Sequence, residues 1–170
     1  ENDPIPALCS MVKHGTLSPL SSQFPSTTAV HVTTINTGLS IAQSGVCEWH
    51  YYESRLDRVI TPLPFITPYD SQPDALTRHG ISPEHFLPPG WFYPQLKRGG
   101  VDPVIFQRQA YSLSPYAQAL QGPARALGFH EHHEGLQWLG ELLSSVKQKT
   151  YAYYYFEDFD SKMHHTGVLS

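Results

Sequence analysis

Residues 134–160, EGLQWLGELLSSVKQKTYAYYYFEDFD, decide the fold class. Leu136, Leu139, Leu142, Leu143 and Val146 recur at three- and four-residue spacing, which puts them on one stripe of a helix over Glu134 to Lys149. The next run, Thr150 to Phe156, is aromatic and β-prone, and reads as a buried strand. A helix that feeds a buried strand is one α/β step, and in such folds chemistry gathers beyond the C-terminal ends of the strands. Glu157, Asp158 and Asp160 stand there. The predicted class is α/β, with helices around a mostly parallel sheet.

Upstream, ALCSMVKH (Ala7 to His14) has helical apolar spacing and Gly15 follows as a stop. Thr16 to Gln23 reads as a short strand interrupted near Pro19. Ser26, Thr27 and Thr28 supply cap oxygens for a helix over Ala29 to Thr37, with Gly38 suited to the left-handed position after it. From about Ser44 to Ser114 the chain is rich in Pro, Gly and aromatics, and reads as loops, short strands and turns. The resulting division of one domain is 1–43, an insertion-like 44–129, and 130–170.

The bulk properties exclude some functions. A chain of 170 residues is long enough to bury a core. The net charge of −4 argues against a general nucleic-acid platform, which would show a basic face. No run of ~18 apolar residues is present to span a membrane. The N-terminal ENDPIPAL lacks the basic-then-apolar order of a signal peptide. Cys9 and Cys47 form no disulfide framework, so a reduced, cytoplasmic compartment is the plainer expectation.

Four stretches carry candidate chemistry. In FPSTTAVHVTTINTG (Phe24 to Gly38) a hydroxyl meets the unpaired N–H groups of a helix start, where an anion or a developing alkoxide is stabilised. The plainer reading of the same residues is an ordinary helix cap. Asp160 and His164 lie four apart, so one helical turn puts a carboxylate and an imidazole on one side, a donor pair suited to Zn²⁺ or Mn²⁺. His130-Glu131-His132-His133-Glu134 could ligate a metal, but reads more simply as a solvated loop with Glu134 near a helix cap. Cys47 to Tyr52 (CEWHYY) could stack a nucleobase, or simply pack into a core.

Two of these stretches together resemble the type I phosphodiesterase/nucleotide pyrophosphatase family of the alkaline phosphatase superfamily. The family's nucleophile pattern is Phe-Pro-Thr-x-Thr-x-x-Asn-His-x-x-x-x-Thr-Gly, which Phe24, Pro25, Thr28, Thr37 and Gly38 match in register. Gly45-x-x-Glu48-Trp49 and Leu56-Asp57-x-x-Ile60-x-Pro62-Leu63 resemble a bacterial branch, and YYYFEDFDSKMHHTG resembles the strand and the Asp-x-x-Gly-His-x-x-Gly metal motif. The resemblance covers Ala7 to about Ile66 and Thr150 to Gly167.

It implies part of an alkaline-phosphatase-like sandwich, in which Thr28 is both nucleophile and metal ligand, and Asp160 and His164 are two ligands of a second ion. Two divalent ions, zinc by the family's habit and about 4 Å apart, would serve hydrolysis of phosphodiester or pyrophosphate bonds in a small-molecule, nucleotide-type substrate. His31 stands where many members have an Asn that helps bind the phosphoryl oxygen, and the resemblance puts an imidazole N–H able to donate at that position. Met163 replaces a Gly, and Ser44 a common His; neither removes a ligand. The family's early Asp, its later Asp-His pair and a further His have no counterpart here. The expectation is therefore a partial catalytic domain, weak alone, whose missing segments belong to the same protein. A non-catalytic phosphate-binding relative and a phosphomonoesterase or phosphonate hydrolase stay open beside it.

Overall fold

The computed structural model describes residues 6–72, 74–85 and 92–167. In chain order these contain α1 (Pro6–His14), α2 (Thr28–Thr37), α3 (Ile41–Ser44), β1 (Tyr51–Glu53), β2 (Arg58–Ile60), α4 (Ala75–Arg78) and α5 (Phe92–Arg98). Then come β3 (Asp102–Arg108), α6 (Gln109–Ser112), α7 (Pro115–Gln121), β4 (Arg125–Phe129), α8 (His132–Ser145), β5 (Thr150–Tyr154) and α9 (Asp158–Thr166).

The expected α/β class is what forms. β3, β4 and β5 make a parallel sheet in the order β4-β3-β5. The central position falls to β3 because Pro103 to Gln107 is the one uninterrupted buried stretch among the strands, covered on both faces. Val104 and Phe106 point to one side and meet Phe129, Leu127, Trp138, Leu139, Leu142 and Tyr154, so α8 closes that face. Gln107 points to the other side and exchanges two amide hydrogen bonds with Gln121 of α7, at 3.2 and 3.0 Å. Strand alternation alone produces this division of one strand between two faces.

A second core surrounds α2 and the loops after it. Ala29, Val46, Ile60, Phe65, Leu76, Ile81, Tyr116 and Leu120 are buried together. β1 and β2 pair antiparallel at its rim. Three polar residues of α2 are buried without loss, because each finds a local partner. Thr33, Asn36 and Thr37 donate to the carbonyls one turn back, and Asn36 also accepts from Tyr93 Oη of α5 at 2.8 Å.

Several expectations are corrected here. Residues 16–23 form no strand: Pro19 withholds a donor, and exposed Leu17 and Leu20 have no neighbouring strand to bury against. The insertion-like 44–129 contains β3 and β4, two of the three sheet strands, so it supplies the sheet's centre. The Pro-rich sequence around VIF hid a strand that needs only five buried residues. The strand read as buried, β5, is a half-buried edge, since among the described residues only β3 pairs with it. Helix α8 starts two residues earlier than the apolar stripe indicated, and Leu136 and Leu143 of that stripe are exposed. Cys9 and Cys47 are free. No described helix is long and apolar enough to cross a membrane.

Candidate functional site

Two places gather the predicted residues. The first is the start of α2. Thr28 is its first residue and is half-buried, after Thr27 at the cap position in extended backbone. The cap is not made by a side chain: Thr27 Oγ1 is buried and bonds to nothing described, so the helix's first N–H groups receive no hydroxyl. An uncapped start leaves donors and the positive end of the helix dipole for another acceptor. His31 lies one turn on, with Nε2 3.5 Å from Ser26 Oγ. At the far end Gly38 adopts φ 74° and donates to the Thr34 carbonyl, the left-handed termination expected of it.

The second place is the C-terminal edge of the sheet. Asp160 and His164 lie on α9 one turn apart, with Oδ2 and Nε2 3.5 Å from each other. Both are open to solvent, at 58 % and 72 % side-chain exposure. The structure therefore brings together the predicted carboxylate and imidazole. Among the described residues no hydrogen bond or ion pair joins Thr28 to either of them.

Behind α9 the same edge is built from residues that end the three strands. Arg108, the last residue of β3, donates from Nε to Glu157 Oε1 at 2.5 Å and from Nη2 to Asp158 Oδ1 at 3.3 Å. It also donates to the His130 carbonyl beyond β4 and faces Glu131 at 3.9 Å. Glu157 raises the guanidinium's pKa through that hydrogen bond. His132 turns its Nε2 toward Asp158 Oδ1 at 3.2 Å and Glu157 Oε2 at 3.6 Å. Its ring sits between Phe129 and Phe156, with centroids 5.0 and 4.1 Å away.

The His130–Glu134 stretch is only in part the solvated loop expected: His130, Glu131 and His133 are exposed, and His132 is not. Glu134 does cap: it accepts from the Glu131 and His130 amides, which hold its carboxyl below the usual range. His132, at 12 % side-chain exposure, points inward because it begins α8 on the face that packs on the sheet. Arg108 escaped the sequence reading altogether. The available signal was a cation directly ending the apolar run Val104 to Phe106, where strand-end residues meet a site. The CEWHYY stretch divides: Tyr51 packs against the second core, whereas Trp49 and Tyr52 are exposed.

No curated protein and no solved structure matches the chain. A family model does, over residues 1–170, and by that match the chain belongs to the type I phosphodiesterase/nucleotide pyrophosphatase family.

Proposed function

We propose that the protein hydrolyses phosphodiester or pyrophosphate bonds of nucleotide-type substrates with Thr28 as nucleophile. The uncapped start of α2 carries this reading: Thr28 is the first residue of a helix whose start receives no side-chain cap, and a helix start is where a phosphoryl oxygen is stabilised. In-line attack forms a bond from Thr28 Oγ to phosphorus and breaks the bond to the leaving oxygen. Water then cleaves the phosphothreonine and restores the hydroxyl. His31, one turn along, donates an imidazole N–H to a phosphoryl oxygen.

Divalent ions would be held by Thr28, Asp160 and His164. The fit is chemical: Asp160 and His164 offer a hard oxygen and a borderline nitrogen 3.5 Å apart, near the roughly 3.4 Å that separates two donors of one tetrahedral zinc ion with ~2.1 Å bonds. Such ions, when bound, neutralise charge on the phosphoryl group and ease loss of the nucleophile's proton. The exposed pair leaves room for further ligands.

The test is turnover of bis(p-nitrophenyl) phosphate beside p-nitrophenyl phosphate, with added Zn²⁺, by the protein as expressed from its gene. Diester turnover should exceed monoester turnover, and Thr28→Ala should reduce it by on the order of 10³-fold or more. Turnover that survives Thr28→Ala excludes covalent catalysis by that residue. Nucleotide binding with no turnover in the unaltered protein would replace the enzyme by a phosphate-binding relative.

A further inference from the structure

The cluster behind α9 is not used by that mechanism, and its hydrogen bonds do not close. Glu157 is buried, at 8 % side-chain exposure, yet its Oε2 bonds to nothing among the described residues, and neither does Nε2 of His132. A buried, unbonded carboxylate oxygen costs several kcal/mol unless a cation meets it. Arg108 does not: its bond goes to the other oxygen, Oε1. The local charge leaves room for a second cation, since one guanidinium faces Glu157, Asp158 and the more distant Glu131.

The tautomer of His132 follows from Tyr154. The Tyr154 hydroxyl donates its single hydrogen to the His132 carbonyl at 3.2 Å. Both Tyr154 contacts are satisfied together when the imidazole donates from Nδ1 across the 2.9 Å contact to Tyr154 Oη. With its hydrogen on Nδ1, Nε2 presents a bare lone pair to two carboxylates. That is the arrangement in which a histidine ligates a metal, with its other nitrogen fixed by an outer partner.

Two occupants would relieve the repulsion, a second proton on His132 or a metal ion. A proton serves the site poorly. The 3.2 Å contact to Asp158 makes no hydrogen bond, and Glu157 Oε2 at 3.6 Å is beyond hydrogen-bond reach. A metal ion serves all three together. Donors around one tetrahedral ion sit beside each other at about 3.4 Å, and here the separations from Nε2 are 3.2 and 3.6 Å. One donor atom from each residue lies within 4.8 Å of the others. We propose that His132 Nε2, Glu157 Oε2 and Asp158 Oδ1 form a site for a divalent cation of the zinc and manganese class, distinct from the Asp160–His164 pair. Three protein ligands leave its remaining position to solvent, and Phe129 and Phe156 hold the imidazole in place.

The test removes the other candidate pair first. In Asp160→Ala/His164→Ala, titration with Zn²⁺ by calorimetry and with Co²⁺ by visible absorption should still show one site with nitrogen–oxygen coordination. Adding His132→Ala, and separately Glu157→Gln, should weaken that site at least tenfold. Long-range ¹H–¹⁵N spectra of the unaltered chain supply a check that needs no variant: Zn²⁺ should shift His132 Nε2 while Nδ1 keeps its hydrogen. Binding that His132→Ala leaves unchanged overturns the site, as does a His132 Nε2 that stays protonated and indifferent to Zn²⁺. Loss of phosphodiester turnover alone touches neither result, so this site and the Thr28 mechanism stand or fall separately.

Discussion

Arg108 shows how one residue ties strand ends to a site. Its guanidinium bonds the buried Glu157 of the segment after β5 and the carbonyl of His130 after β4, so a single side chain spans all three strands. Arg108→Met would leave Glu157 buried without its cation. With the guanidinium partly exposed, the expected loss is about 2 kcal/mol, below the 3–5 of a fully buried pair, read as a lower urea midpoint. Glu53 provides the pH dependence. Arg55 donates to both of its carboxylate oxygens, at 2.7 and 2.8 Å, and holds its pKa below the ordinary value near ~4.3. A depressed folded pKa contributes stability that is fully present above that ordinary value and is lost as the pH falls through the folded one. Urea midpoints of wild type and Glu53→Gln should therefore differ most above pH 5 and converge on acidification. A constant difference down to pH 2 would show that the carboxylate's charge is not what matters.

Among the elements, α8 is held against β4 by a missing side chain. A Cβ on Gly135 would meet the Phe129 ring 2.5 Å away, too close for any real contact. Gly135→Ala gains about 1 kcal/mol of helix propensity, but forces the helix off the sheet at a cost of about 1–3 kcal/mol. A lowered melting temperature is expected, and an unchanged or higher one would mean the helix can shift freely. Between α5 and α2 the link is polar. Tyr93→Phe removes the hydroxyl that Asn36 Oδ1 accepts from, leaving a buried amide oxygen unbonded, for a loss of about 1–3 kcal/mol in chemical denaturation. The apolar stripe of α8 was legible in the sequence, but its partition was not. Leu139 and Leu142 pack inward while Leu136 and Leu143 face out, a choice made by the sheet's position and not by periodicity.

At the scale of the molecule, two cores are joined through the far face of β3. The reciprocal Gln107–Gln121 amides cross from the sheet to α7, which also packs in the core around α2. Gln107→Leu should cost about 1–3 kcal/mol because it strands Gln121. Gln107→Leu with Gln121→Leu should return most of that loss, since removing both partners leaves nothing unbonded. A double variant as unstable as the sum of the single ones would show that the cost is steric. The class of fold was readable because one helix–strand step has a periodicity of its own. The sheet's centre was not, because β3 lies among prolines and is identified as central only by what pairs with it.

Taken alone, the sequence determined the α/β class, a helix over Ala29 to Thr37 directly after Thr28, the turn spacing of Asp160 and His164, and the resemblance that the family match upholds. These are properties of neighbours along the chain, set by local spacing and by motif. Only the tertiary structure decided that Arg108, His132, Glu157 and Asp158 meet at one edge of the sheet, and that β3 is its middle. Those contacts join residues from 22 to 50 positions apart, and parallel strands bring such residues together through pairing order, which no local pattern encodes.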